Sequence, residues 1–260
     1  VAFFARSWRA MALSRSDHPH PPSVLEEERR APLIDYARRG AHIWSPRAEL
    51  VTKTSMAEAR EAGLQACFAP NTPQAHVVDH LAGAPVEGES RQVLTESARI
   101  ARGEIRDLAT LRADEFDALI FPGGFGAAKN LCTFAFDGAA CTVQPEVERV
   151  FNDFHRSEKP IGMCCIAPVI AAKLLGTASG GPGCTVTIGC DPEAVQAIEA
   201  MGATHAVQPV TQACIDEKNL LVTAPAYMYG EAKIHEVSEG IGQMVSRTLD
   251  LARSTQTSGA

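Results

Sequence analysis

Pro160-Ile-Gly-Met-Cys-Cys-Ile-Ala-Pro168 is the stretch on which the fold turns. Ile161–Cys164 is a short uncharged apolar run, the signature of a buried strand, and Ala167–Leu175 predicts a helix that starts at once. Cys165 stands at the junction. A sharp strand-to-helix turn lifts one side chain above the sheet, the logic of a nucleophile elbow. The helix N-terminus behind it favours the thiolate, so a lowered thiol pKa is expected. Backbone N–H groups just after such a residue can also hold an oxyanion. Two cysteines buried in an apolar strand would give the same local pattern.

Working outward, the same alternation recurs. Asp117–Phe121 reads as a buried strand stopped by Pro122-Gly123-Gly124. Pro145–His155 places Val147, Val150, Phe151 and Phe154 at i, i+3, i+4 and i+7, which predicts a helix. Cys184–Ile188 and Leu220–Thr223 read as strands, Pro192–Met201 as a helix closed by Gly202, and Gly230–Leu251 as a long final helix. Upstream, Leu64–Ala69 reads as a strand ending at Pro70, and Gln92–Arg102 as a helix. Strands alternating with helices imply an α/β domain with a largely parallel sheet, whose sites form at the carboxyl ends of the strands. The glycines of Phe121-Pro-Gly-Gly-Phe-Gly-Ala-Ala-Lys-Asn130 allow close backbone approach to a ligand. The spacing matches neither phosphate-loop fingerprint, so Lys129 is not a P-loop lysine.

Composition sets the bounds. The chain has 260 residues, 45% hydrophobic and 21% charged, enough for one large domain or one domain with an extension. No apolar stretch approaches the length of a membrane-spanning helix. A net charge of −7 disfavours nucleic acid and anionic membrane surfaces as partners. That charge is unevenly spread: residues 1–60 hold ten Lys/Arg against seven Asp/Glu, and residues 61–260 fourteen against twenty-four. Residues 1–15, with Arg6, Arg9 and Arg15 and no acid, resemble a mitochondrial presequence. We therefore expect residues 1–47 to be a targeting or poorly ordered extension, residues 48–260 the domain, and the compartment mitochondrial, with the cytoplasm as the alternative. The eight cysteines form no CxxC pair and no zinc-finger spacing, so reduced thiols and no metal are expected.

The Phe-Pro-Gly-Gly turn at 121–124 and the Cys-Ile-Ala-Pro turn at 165–168 together resemble the PfpI-type, class I glutamine-amidotransferase-like superfamily. Three longer blocks narrow the resemblance to its ElbB-type branch: Gly88–Gly103, Phe121–Leu131 and Val222-Thr-Ala-Pro-Ala-Tyr-Met228. The resemblance spans roughly residues 63–253. It implies a flavodoxin-like three-layer sandwich with a mostly parallel sheet, and a homodimer. It also implies an elbow nucleophile at Cys165 and an oxyanion pocket from the N–H groups of Gly124 and Ile166. The branch includes a glyoxalase-like protein, so the implied substrate is a small reactive carbonyl compound, with no cofactor. Cys164, one residue early, would point into the sheet layer.

Departures from the family pattern matter as much. No match is found for the first strand, its Gly-Cys-Gly loop or the acidic residue that follows it. No His follows Cys165; Ile166 stands there, and His76, His80, His155, His205 and His235 read as surface or core residues. The first strand is central in this fold, so its slot must be filled. Ala48–Lys53 is the expected replacement, with Ser55–Ala62 as a shortened helix leading to Leu64. Three functions stay open at this stage: a weak glyoxalase or deglycase lacking its acid, a redox-sensing stress protein, and a non-catalytic binding protein.

Overall fold

The computed structural model describes residues 2–5, 64–79 and 81–258. Its main sheet contains β1 (Ala2–Ala5), β2 (Leu64–Ala69), β5 (Arg106–Asp107), β6 (Ala118–Phe121), β7 (Ile161–Cys164), β10 (Cys214–Asp216) and β11 (Leu221–Ala224). The order across the sheet is β10-β11-β7-β6-β1-β2-β5. Two short pairs stand apart from it: β3 (Val78–Asp79) with β4 (Ala84–Pro85), and β8 (Thr185–Val186) with β9 (Thr204–His205). The α-helices are α1 (Val93–Ile100), α2 (Phe134–Asp137), α3 (Pro145–Arg156), α4 (Pro168–Leu175), α5 (Pro192–Ala200) and α6 (Ile234–Ser258). Among the described residues no helix is long and apolar enough to cross a membrane.

The parallel neighbours are β2 with β5, β6 with β7, and β7 with β11. Strand β1 runs antiparallel to both of its neighbours, with Phe3 in register with Cys67 on one side and Ile120 on the other. This corrects the expectation for the central slot: the ladder between β2 and β6 is supplied by Ala2–Ala5, and the proposed substitute, residues 48–53, lies outside the described residues. A slot between two strands demands donors and acceptors on both edges. Four residues from the segment read as an extension meet that demand, with the chain direction reversed.

Strand alternation divides the core into two layers. Leu119, Phe121, Ile161 and Met163 pack with Val147, Phe151 and Phe154 of α3 and Val169 and Ile170 of α4. Ile120, Cys164, Val222 and Ala224 pack on the other face with Val237, Ile241, Met244 and Val245 of α6. The strand cores are therefore apolar on both faces, as a sheet covered on both sides requires. Gly162 sets the distance of α6: a Cβ there would lie 2.6 Å from Met244 Sδ and from Thr248 Oγ1. Helix α3 starts where Gln144 Oε1 accepts from Val147 N at 2.9 Å, with Pro145 in the first turn, and ends with His155 and Arg156.

Candidate functional site

Strand β7 ends at Cys164, and Cys165 turns into the left-handed region with φ +58°. A non-glycine residue pays about 1–2 kcal/mol for that conformation, so its surroundings must hold it there. They do so through the backbone: Cys165 N donates to Ala224 O at 3.0 Å, and Ala167 N to Cys164 O at 3.1 Å. Helix α4 then begins at Pro168, which has no N–H to leave unpaired.

The loop after β6 closes over this turn. A Cβ at Gly123 would fall on Cys165 Cβ and 2.6 Å from the Cys164 carbonyl oxygen, so only glycine lets the two strand ends approach so closely. Gly124 takes φ +94° and aims its N–H at the Cys165 thiol. The N–H of Ile166 does the same. The structure adds a third donor, the N–H of Tyr227, from the turn after β11. That turn repeats the elbow's geometry, since buried Ala226 has φ +46° and Met228 N donates to Pro225 O at 3.1 Å. Sequence reading missed Tyr227 because a backbone N–H carries no side-chain signature. The available signal was Pro225, which stops β11 as Pro122 stops β6.

The thiol corrects one expectation. Cys165 is only 9% exposed, and burial pushes its pKa above the ordinary thiol value; the N–H groups of Gly124, Ile166 and Tyr227 pull it back only in part. Desolvation of a thiolate outweighs the hydrogen bonds that favour it. No carboxylate of the described residues acts on the thiol. Cys164 is fully buried among the side chains facing α6, as its one-residue offset requires. Cys132 and Cys184 are also buried, and desolvation drives both thiols up to about 12. Among the described residues no cluster of His, Cys, Asp and Glu could hold a metal ion. His155 lies at the far end of the sheet, 3.3 Å from Asn219 Oδ1.

The arrangement is a buried thiol at a strand end, with the N–H groups of Gly124, Ile166 and Tyr227 beside it. No family model matches the chain. Over 193 residues, 71% of its length, it is 55% identical to the Homo sapiens glutamine amidotransferase-like class 1 domain-containing protein 3, mitochondrial, covering 69% of that protein. It is 38% identical over 199 residues to the Danio rerio ES1 protein, mitochondrial, covering 70% of this chain and 72% of that one. Among solved structures, an isoprenoid biosynthesis protein with amidotransferase-like domain from Ehrlichia chaffeensis superposes with a TM-score of 0.70 at 35% identity, over 78% of this chain and 91% of that one. The curated relatives are mitochondrial by name, the compartment expected from the basic N-terminal residues. The chain belongs to the glutamine amidotransferase-like class 1 family, in the branch of the ES1 and ElbB-like proteins.

Proposed function

We propose that this protein is a cofactor-independent enzyme of small reactive carbonyl compounds, with Cys165 as the nucleophile. The observation that carries this reading is the left-handed Cys165 at a strand end, with the N–H groups of Gly124, Ile166 and Tyr227 directed at its sulfur. With glyoxal, the sulfur adds to one carbonyl carbon. An S–C bond forms, the carbonyl π pair moves onto oxygen, and the thiol proton ends on that oxygen. The N–H groups of Gly124, Ile166 and Tyr227, beside the sulfur, are the donors this reading assigns to the charge that develops there. In the resulting hemithioacetal, S–CH(OH)–CHO, the C–H proton leaves to give an enediol and returns on the neighbouring carbon, while the hydroxyl proton passes to that carbon's oxygen, giving the thioester S–CO–CH2OH. One carbon is oxidised as the other is reduced, so no external redox partner is needed. Water then hydrolyses the thioester, releasing glycolate and restoring the thiol.

The raised thiol pKa keeps Cys165 protonated at rest, and no carboxylate of the described residues is placed to take its proton. Lack of a positioned base costs about 10²–10⁴-fold in rate, so turnover is slow. The same two facts count against peroxide sensing, which favours an exposed, low-pKa thiol. The test is glyoxal loss and glycolate formation by the purified protein beside Cys165→Ala, with an expected drop of at least about 10²-fold. Equal rates in the two proteins would remove the proposal. The rate should also keep rising as pH climbs towards and past the ordinary thiol value of 9.0. A plateau reached below neutrality would contradict a buried thiol as the attacking group.

A further inference from the structure

Phe125, the residue after Gly124, begins a second group of side chains that the chemistry above does not use. Phe125 is 67% exposed and Phe136 is 51% exposed. The Lys129 ammonium lies between them, 5.5 Å from the centre of the Phe125 ring and 5.9 Å from that of Phe136. Its Nζ is 3.2 Å from His76 Nδ1, and the His76 ring meets Phe136 edge-on at 5.6 Å. The segments carrying these side chains are tied together where Ala75 N donates to Asn130 Oδ1 at 2.8 Å. Lys129 and Asn130 lie on a π-helical turn, Ala127–Leu131, a rare form that collects at functional sites.

A surface lysine is usually a freely solvated chain, and an exposed phenylalanine pair is usually avoided. Here a cation is fixed among three rings. Arg91, Arg99, Arg112, Arg149, Arg156 and Arg253 each have a carboxylate partner, whereas Lys129 has none within ion-pair distance among the described residues. His76 can accept the Lys129 proton only through an unprotonated nitrogen, so the ammonium is the charge the cluster presents. One of its three N–H bonds is taken, and two are left to donate. A single cation with two free donors beside exposed aromatic faces suits a monoanionic carboxylate on a short apolar stem. A phosphate dianion calls for more charge and more donors.

We propose that Lys129, with Phe125, Phe136 and His76, is a carboxylate-binding subsite for the substrate of Cys165, which would make the preferred substrates short aldehydes that also carry a carboxylate. This rests on the reading of Cys165 as a nucleophile. The link between the two sites is covalent: Gly124 directs its N–H at the sulfur, and the next residue stacks under Lys129.

The test is alkylation of Cys165 by iodoacetate and by iodoacetamide, followed by mass spectrometry of the Cys165 peptide. The two reagents differ in a carboxylate against a neutral amide, and the neutral one is the internal reference for an intact pocket. Lys129→Met should lower the iodoacetate-to-iodoacetamide rate ratio about three- to tenfold, the effect of removing one partly screened charge from beside the reagent's carboxylate. Lys129→Arg should restore it. On the unmodified protein, acetate should slow the iodoacetate reaction while acetamide does not. An unchanged ratio in Lys129→Met, or equal effects of acetate and acetamide, overturns the subsite and leaves the nucleophile standing. Failure of both reagents to modify Cys165 overturns the nucleophile, and the subsite with it.

Discussion

At the amino ends of the parallel strands, polar side chains are tied off against one another and against the backbone; at the carboxyl ends, backbone donors converge on a single thiol. Lys159 Nζ caps two carbonyls at the first end, Ala113 O at 2.7 Å and Phe116 O at 2.6 Å. On the connection from β5 to β6, Arg149 reaches Leu108 O and Leu111 O, each at 3.1 Å, while paired with Glu146 and Asp153. Buried Asp216 accepts from Thr185 N, Asn219 N and Asn219 Nδ2 at 2.8, 3.2 and 2.7 Å. The open groove there, of about 360 Å³, is lined by Arg112, Arg149 and Arg156 beside Asp114 and Asp153, so its charges largely cancel. Both ends also carry left-handed non-glycine residues. Glu158 and Leu220 precede β7 and β11 in hydrogen-bonded turns, and Cys165 and Ala226 follow the same two strands inside the core. The same backbone strain serves chain reversal at one end and presentation of a reactive group at the other.

This contrast can be broken most sharply at Gly123. Gly123→Ala forces backbone against backbone beneath the elbow, and should cost about 3 kcal/mol in urea unfolding while also abolishing Cys165 alkylation. Wild-type reactivity in a folded Gly123→Ala protein would show that the close approach of the two loops is not what builds the pocket. At the opposite end, Asp216→Ala leaves buried donors without an acceptor and should cost about 2 kcal/mol. Its Cys165 alkylation rate, measured well below the unfolding midpoint, should match wild type. A large change there would mean that the two ends are coupled through β11. The smallest effect is expected at Glu158, whose exposed left-handed backbone is relieved by glycine. Glu158→Gly should raise stability by about 0.5–1 kcal/mol, read as a higher urea midpoint, and a lower midpoint would show that the Glu158 side chain supports the turn.

How far the sequence carried this picture differs between its parts for physical reasons. Strands β2, β6, β7 and β11 and helices α3 and α4 follow from local patterns, because a strand buried on both faces must be an unbroken apolar run and a helix must repeat its apolar face. Leu64–Ala69 and Ile161–Cys164 coincide with the runs read from composition. Ala2–Ala5 escaped because its neighbours Arg6 and Arg9 make the segment read as basic leader, and because its strand character comes from β2 and β6 on either side. Cys165 stood out because the strand-to-helix elbow is local, whereas the roles given to Gly124 and Ile166 came from the family resemblance of the two turns. The raised thiol could not be foreseen: the helix start is visible in sequence, but the burial that overrides it comes from Ala224, Ala226 and the helices packed behind them.

The reversed central strand has a consequence for how the molecule is assembled. Within the sheet, among the described residues, the two parallel blocks, β2 with β5 and β6 with β7 and β11, are joined by the ladders of Ala2–Ala5. Those four residues are distant in the chain from both partners, so joining the blocks carries the loop-closure cost of the longest-range contacts in the sheet. Docking of β1 is therefore expected to be a late step in folding. Until it happens, β2 and β6 each present an open edge, and any chaperone or second chain able to offer an extended segment competes for the same place.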